Sequence, residues 1–415
     1  GMGRKSGMSA IDGVQSLARA EGRSLNWGAL GWIGSLTSFF ILTFYMVISA
    51  WIVDFIPQAF SGEFAGFAAE AERLTNDARA LDPSAAAVTV ADVSGANFGA
   101  AIGNKPVVLG WLLLFIGVNT LIVARGVRGG IERAATILMP AFFVLLIGVV
   151  GFSLSQGDAA AAVDFLLRPD FSEVGFDTFL AAVGQAFFSL SVGSCLMITY
   201  GAYLSRETDI PRAAGIIASA DTLVALVAGF AIFPIVFAFG ANPAGGPGLF
   251  FVSLPIAFGQ MPAIIGGAFF TLALFAALTS SISLMEVGVS WLEEREGVNR
   301  PGAAIGVGFV LFMVGAGYVY STEFIDFVDF VTGTLMLPLG GLLVTIFAGR
   351  ILSRQMLVTE FGEGTIMNLW RFAVRWVGPV GLSVILVFGT IAALQTQFGV
   401  ELPGFLQGLL GLSAD

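Results

Sequence analysis

Residues 185–203 read Gln-Ala-Phe-Phe-Ser-Leu-Ser-Val-Gly-Ser-Cys-Leu-Met-Ile-Thr-Tyr-Gly-Ala-Tyr. The stretch is apolar and long enough to enter a bilayer, yet Ser189, Ser191, Gly193 and Ser194 gather at its middle. Small hydroxyl residues around a glycine make poor lipid-facing surface and good material for opening a helix. A helix that opens at membrane depth leaves backbone groups unpaired, and lipid cannot satisfy them. Such a break survives only where it lines protein or a water-filled cavity. Two readings stand on this segment alone: a substrate-and-ion site of the kind broken helices form in secondary transporters, or a kink packed through small residues.

The composition sets the class. The chain has 415 residues, 56% hydrophobic and only 12% charged, with a mean hydropathy of +0.89. An ordinary soluble domain is roughly a quarter charged, so this is a polytopic helical membrane protein. It contains no His, which excludes imidazole metal sites, His proton relays and Ser-His-Asp triads. The single Cys, Cys195, excludes an intrachain disulfide and every multi-Cys metal motif. There is no phosphate-binding loop of the Walker type and no basic aromatic platform for nucleic acid.

A spanning helix needs about 20 mostly apolar residues. The pattern predicts nine, at 28–55, 106–124, 134–155, 178–203, 212–239, 262–291, 302–320, 325–349 and 376–397. The longest connection, about 56–104, is Ala-rich and acidic and is expected to be extramembrane and partly helical. Basic residues orient the spans, because cytoplasmic loops carry the excess of Lys and Arg. With the N-terminus inside, only Arg73, Arg79, Lys105 and Arg168 of the 19 basic residues fall outside. The expectation is a multi-pass protein of the cell (inner) membrane, N-terminus cytoplasmic and C-terminus extracytoplasmic. The opening Gly-Met-Gly-Arg-Lys-Ser-Gly has no apolar core behind its basic residues, so it is not a signal peptide.

Charges inside spans are costly and are functional candidates by default. Asp221 lies about one third along the fifth span, and Glu286 in the sixth, seven residues beyond Thr279. Neither has a Lys or Arg within a predicted span; Asp221 is expected to bind a cation or proton, whereas for Glu286, nearer the cytoplasmic end, the structural reading leads. In both cases the structural reading is an ion pair. Thr279-Ser280-Ser281 in the sixth span offers hydroxyls suited to a small alkali cation, although such hydroxyls usually bond back to the preceding turn. Tyr45, mid-membrane in the first span, needs a partner for its hydroxyl; a substrate carboxylate or a neighbouring carbonyl would serve. Trp27, Trp32 and Trp111 read as interfacial belt residues.

Several of these pieces occur in one order: Phe44-Tyr45 followed by Trp51, Gly130-Ile-Glu-Arg-Ala with Leu138-Met-Pro140, Gln185 to Tyr203, Ala220-Asp221 with Phe233-Pro234, and Leu278-Thr-Ser-Ser281. In that order the chain resembles the neurotransmitter:sodium symporter family, most closely its bacterial amino-acid transporters, along essentially its whole length. The resemblance implies that Tyr45 hydrogen-bonds the substrate carboxylate and that Phe188 is the outer aromatic gate. It implies that Ser191, Ser194, Ser280 and Leu284 shape the side-chain pocket. Ser189 and Asp221 would contribute to a first sodium site, and Ala276 (through its carbonyl), Thr279 and Ser280 to a second. Asp329 matches the extracellular-gate carboxylate, and Glu294 an acid of the cytoplasmic gate. Gln185 sits where the chloride-dependent branch surrounds its anion. Asp221 occupies a position that is often Asn, and its fixed charge would replace that anion, so chloride is expected not to be required. Ser194 and Cys195 are small where bulkier residues are common, which points to room for a larger apolar substrate side chain.

The family has two helices ahead of the span counted first here. The first of them carries the other broken segment, ligands for both sodium sites, and the arginine that meets the outer-gate acid. The expectation is therefore an all-α inverted-repeat sodium symporter fold missing its first two helices, with residues 1–415 forming one N-terminally incomplete transmembrane domain. The implied function is sodium-coupled symport of an amino acid or similar small zwitterion by alternating access, with no ATP site. The alternative is a transport-inactive regulatory or structural homologue, if the chain is naturally short. A cation channel fits poorly, since a pore favours a symmetric ring of like residues. An intramembrane enzyme fits least: the serines lack a recognisable base.

Overall fold

Helix starts in this chain are written by polar caps followed by proline. The Asp209 side chain accepts from the Arg212 N–H ahead of a helix with Pro211 in its first turn. Asn299 does the same for Gly302, with Pro301 following. Each cap satisfies an otherwise unpaired N–H, and proline there removes a donor that had no partner. At the other end, Gly62 adopts the left-handed conformation (φ 77°) that closes the helix Gly28–Ser61. The computed structural model describes residues 1–398 except 173, 241–242, 244–247 and 296.

Among the described residues, eight helices are long and apolar enough to cross a membrane: Leu25–Ser61, Lys105–Ala124, Val127–Gln156, Ile210–Ala238, Ala263–Glu293, Arg300–Tyr320, Glu323–Ile351 and Thr365–Gln395. They correspond to every expected span but the fourth. The span expected over 178–203 is broken where the Ser-Gly-Ser cluster predicts, into two short helices, Phe176–Ser189 and Leu196–Ala202, separated by an unwound turn. Spans are called first to ninth below, with the fourth reserved for this broken pair. The connection after the first span carries helices Phe67–Leu81 and Val90–Gly103, the latter started by a capping box between Thr89 and Asp92. Hydrogen bonds from the Thr89 hydroxyl and N–H hold the Asp92 carboxyl below the usual carboxylate range.

The first span is central: 56% of its most apolar window is buried within the protein, against 11% for the fifth. It packs with the second, sixth and seventh spans around one apolar core that includes Leu42, Val47, Leu112, Phe270, Ile282 and Leu311. At one end this core is closed by interlocked rings, with Phe98 stacked on Phe251 at 5.0 Å and both against Phe55. There the polar groups of the first span are also tied off. Asp54 accepts from Trp111 Nε1 (2.8 Å) and from Gln58 Nε2 (3.0 Å), and Asn97 donates to Gln58 (3.0 Å). Trp111 is thus the hydrogen-bond donor to a carboxylate and not the plain belt residue its position suggested.

The opposite end supplies the basic partner that no predicted span holds. Glu286, fully buried, has a cationic partner: Arg300, the first residue of the seventh span, reaches it at 2.5 Å. The same guanidinium contacts Glu293 (2.8 Å) and the Val123 carbonyl at the end of the second span (2.9 Å). Tyr203 donates to the other Glu286 oxygen at 2.8 Å. Span prediction places Arg300 in a loop, but a long side chain extends back along the helix end. Glu286 is therefore an ion-paired structural carboxylate. Breaking such a pair from one side strands the other charge, at about 3–5 kcal/mol. Arg300→Ala should accordingly lower the apparent melting temperature in detergent sharply, and Arg300→Ala combined with Glu286→Gln should recover most of the loss.

Candidate functional site

The break in the fourth span is held by glycine-sized gaps on two neighbours. Its turn runs through Ser191 (φ 52°), Gly193 (φ 114°) and Cys195 (φ 60°), three residues in the left-handed half of backbone space. Such conformations cost non-glycine residues roughly 1–3 kcal/mol each unless the surroundings impose them. Here they do. A Cβ on Gly34 of the first span would sit 2.9 Å from the Gly193 carbonyl and 2.3 Å from the Cys195 sulfur. A Cβ on Gly340 of the eighth span would sit 2.3 Å from the same Gly193 carbonyl. Gly193 in turn lies against the Leu337 carbonyl and the Gly341 nitrogen, with no room for a side chain. Ser38 donates to the Ser194 carbonyl (2.5 Å), and Ser194 Oγ donates back to the Ser191 carbonyl (3.0 Å). The unwound backbone is thus satisfied in part by these hydroxyls and in part by bonds from the Ser191 and Val192 N–H groups to the Phe188 and Phe187 carbonyls, and it lies within protein as membrane depth demands.

That cavity, about 360 Å³, is lined by Ile41, Tyr45, Phe188, Ser189, Ser191, Ser194, Leu196, Met197, Thr279, Ser280, Ser283, Leu284 and Leu337. All six residues expected to touch substrate are on its wall: Tyr45, Phe188, Ser191, Ser194, Ser280 and Leu284. The Tyr45 hydroxyl faces that of Ser280. Ser194 is buried, whereas Phe188 is 48% exposed at the margin.

The two groups of residues expected to bind cations differ in what holds them. Ser189 Oγ lies 2.6 and 2.5 Å from the two carboxylate oxygens of Asp221, joining the broken fourth span to the fifth. The residues are 32 apart in sequence, and among the described residues no Lys or Arg forms an ion pair with this carboxylate. Thr279 Oγ1 lies 3.0 Å from the Ala276 carbonyl and 3.1 Å from that of Phe275. Thr279, Ser280 and the Ala276 carbonyl therefore occupy one turn of the sixth span. Hydroxyl, carbonyl and carboxylate oxygens are a donor set for a hard cation. Among the described residues there is no cluster of three or more His, Cys, Asp or Glu that would favour a transition metal.

The remaining expected residues stand apart from the cavity. Asp329 is exposed near the start of the eighth span, and its carboxylate is in no ion pair among the described residues. Glu294 lies at the end where Arg300 and Glu286 meet. It accepts from the Ser9 N–H and the Ser9 hydroxyl (2.6 Å), capping the helix Ala10–Ala20. Gln185 is exposed on the first half of the fourth span. Leu196, Met197 and Ile41 were not anticipated as lining, because nothing in their local sequence separates cavity-facing from lipid-facing apolar residues.

A membrane protein with a broken helix, hydroxyl-rich turns and a small central cavity has the architecture of a secondary transporter. The sequence pattern of the sodium:neurotransmitter symporter family matches residues 23–400, and the chain belongs to that family. An uncharacterised sodium-dependent transporter of Bacillus subtilis, YhdH, is 34% identical over 406 residues, covering 93% of this chain and 83% of that protein. The sodium-dependent nutrient amino acid transporter 1 of Drosophila ananassae is 27% identical over 302 residues, 68% of this chain and 46% of that protein. Among solved structures, MhsT in complex with L-phenylalanine superposes with a TM-score of 0.79 at 34% identity, covering 93% of this chain and 86% of that one. The protein is thus a multi-span sodium-coupled transporter and not an enzyme.

The glycine clamp yields a direct test. Gly340→Ala forces the Gly193 carbonyl to move, and overpacking of this kind costs about 1–3 kcal/mol. Sodium-dependent substrate binding should fall roughly tenfold or more, measured by scintillation proximity on protein matched for amount and monodispersity.

Proposed function

We propose that the protein couples inward sodium flow to uptake of an amino acid by alternating access. The observation that carries this reading is the Asp221 carboxylate held by Ser189 at the helix break without a basic partner. A carboxylate at membrane depth is costly unless a cation or hydrogen bonds compensate it. One hydroxyl is thin compensation, and sodium supplies the rest. Asp221 and Ser189 then form the first sodium site. Ala276, Thr279 and Ser280 contribute to the second.

Apart from its link to Asp221 the cavity wall is uncharged, which suits a substrate with a neutral side chain. Tyr45 receives the substrate carboxylate and Ser191, Ser194, Ser280 and Leu284 surround its side chain. MhsT's phenylalanine and the amino-acid transporters among the relatives support this substrate class. Sodium at the first site bridges the fourth and fifth spans, so its binding is felt directly at the unwound turn and at Phe188, which closes over the substrate. The distribution of basic residues supports an orientation with the Arg300–Glu286 end and Glu294 in the cytoplasm and with Asp329 outside. In that orientation Tyr203, held on Glu286, and Ser9, held on Glu294, keep the cytoplasmic side shut until the ions bind and leave. Residues 1–415 belong to one transmembrane transporter domain.

Two measurements test the reading. In proteoliposomes of the full natural chain, replacing external sodium by choline should abolish uptake of a large neutral amino acid. Thr279→Val, which keeps shape and loses the oxygen ligand, should weaken sodium activation by roughly tenfold or more, the equivalent of about 1.4 kcal/mol. Uptake unaffected by choline would sink the coupling, and unchanged sodium activation in Thr279→Val would sink the second site. Uptake should also proceed equally in chloride and gluconate, because Asp221 supplies the fixed negative charge. Asp221→Asn should make the residual uptake chloride-dependent, and a chloride requirement with Asp221 intact would overturn that assignment.

A further inference from the structure

We propose that Asn119 is a positioning residue for the second sodium site, holding the Thr279–Ser280 turn in register through Ser281. The inference rests on the assignment of that turn to sodium made above.

Asn119 lies in the second span, beside Thr120 and otherwise among apolar residues, and is fully buried. Its Nδ2 donates to the Phe115 carbonyl at 2.8 Å. A carbonyl oxygen only accepts, so this bond fixes the amide orientation and turns Oδ1 toward the sixth span. There the Ser281 hydroxyl, also fully buried, donates to it at 2.7 Å. Residues 119 and 281 are 162 apart in sequence.

The consequence follows from helix geometry. Successive residues stand about 100° apart around a helix. Ser281 faces the second span while its neighbour Ser280 is exposed to the cavity. Pinning Ser281 therefore sets the rotation of the turn that presents Ser280, Thr279 and the Ala276 carbonyl. Ser281 also has a competing acceptor, the Leu278 carbonyl, at 3.1 Å. Back-bonding to that carbonyl is the default for a helical serine and tends to bend the helix. Asn119 withdraws the hydroxyl from this default. Its own helix is a firm anchor, since the second span packs closely against the seventh: a Cβ on Gly308 would lie 2.5 Å from Thr120 Oγ1. The second-site turn is thus fastened to the packed core, whereas Ser189 and Asp221 of the first site lie on less buried helices.

The test compares variants of the full natural transporter in proteoliposomes, reading sodium half-saturation separately from substrate KM at saturating sodium. Asn119→Leu should raise sodium half-saturation roughly three- to twentyfold, the range spanned by interhelical hydrogen bonds in membrane proteins. Maximal rate at saturating sodium should stay within about twofold, within the spread of weak interhelical bonds, and substrate KM should change less than sodium half-saturation, because of this turn's ligands Ser280 is the one that also meets the substrate side chain. Ser281→Ala should reproduce the shift, and the double variant should add little to either, as expected for two partners of one bond. Asn119→Asp should behave like the parent. A buried carboxyl lacking a basic partner stays protonated, and so keeps a donor for Phe115 and an acceptor for Ser281. Thr279→Val serves as the reference. If it shifts sodium activation and Asn119→Leu and Ser281→Ala do not, the positioning role is wrong and the site reading survives. If additive single-variant effects appear, or Asn119→Asp fails to rescue, the role is likewise wrong. If Thr279→Val itself leaves sodium activation unchanged, the site reading falls and the positioning role falls with it.

Discussion

A peptide group inside a bilayer has no water to turn to, and the unwound turn at 190–195 is where this protein meets that constraint. Past Leu190, whose N–H still reaches the Ala186 carbonyl, the residues of this turn leave the regular helical ladder, and against lipid they would be intolerable. They persist because the first and eighth spans approach to backbone contact through Gly34, Gly340 and Gly341, and because Ser38 supplies a donor to the Ser194 carbonyl. The same requirement that makes the turn expensive makes it useful. Backbone and hydroxyl oxygens that are not consumed by a helix ladder become available to a cavity, and the cavity is where Tyr45, Ser280 and Phe188 converge.

Charge is handled by two different rules at the two depths. Toward the helix ends, three carboxylates are partnered: Glu286 by Arg300 and Tyr203, Glu294 by Ser9, Asp54 by Trp111 and Gln58. Nearer the middle, Asp221 has, among the described residues, only the Ser189 hydroxyl. Removing one partner of a buried ion pair is far more damaging than replacing both, so the end clusters behave as structural locks. The under-partnered carboxylate is the one suited to a ligand that comes and goes. This contrast separates Asp221 from Glu286, two acids that look alike in sequence.

Burial within the protein is distributed in a corresponding way. The first, second, sixth and seventh spans share one apolar cluster, and Asn119, Ser281 and the Gly308 contact lie within it. The third, fifth and ninth spans bury far less of their surface within the protein. A site with one wall on a packed frame and the other on looser helices can change its width without rebuilding the frame. The π-helical turns at Val127–Glu132 and Val331–Met336 lie at the start of the third span and within the eighth, and such turns are common at functional positions.

Much of this was readable from residue order alone. Runs of about 20 apolar residues can only be spans, because every backbone polar group in lipid must be bonded within its own helix. The Ser-Gly-Ser cluster at 189–194 announced a break for the same reason, and the motif order around Tyr45, Asp221 and Thr279 marked the family. Spacing along a chain is silent, however, about which side chains from different helices meet. Arg300 lies outside its predicted span, yet its long side chain reaches back to Glu286. Trp111 resembles any interfacial tryptophan until Asp54 stands opposite it. The Asn119–Ser281 bond joins residues in different spans, and neither has a local signature. These pairings depend on the rotation and approach of packed helices, which glycine contacts and core shape decide. The bilayer's demand for satisfied backbone is local and shows in sequence; the choice of partner across helices is a tertiary property.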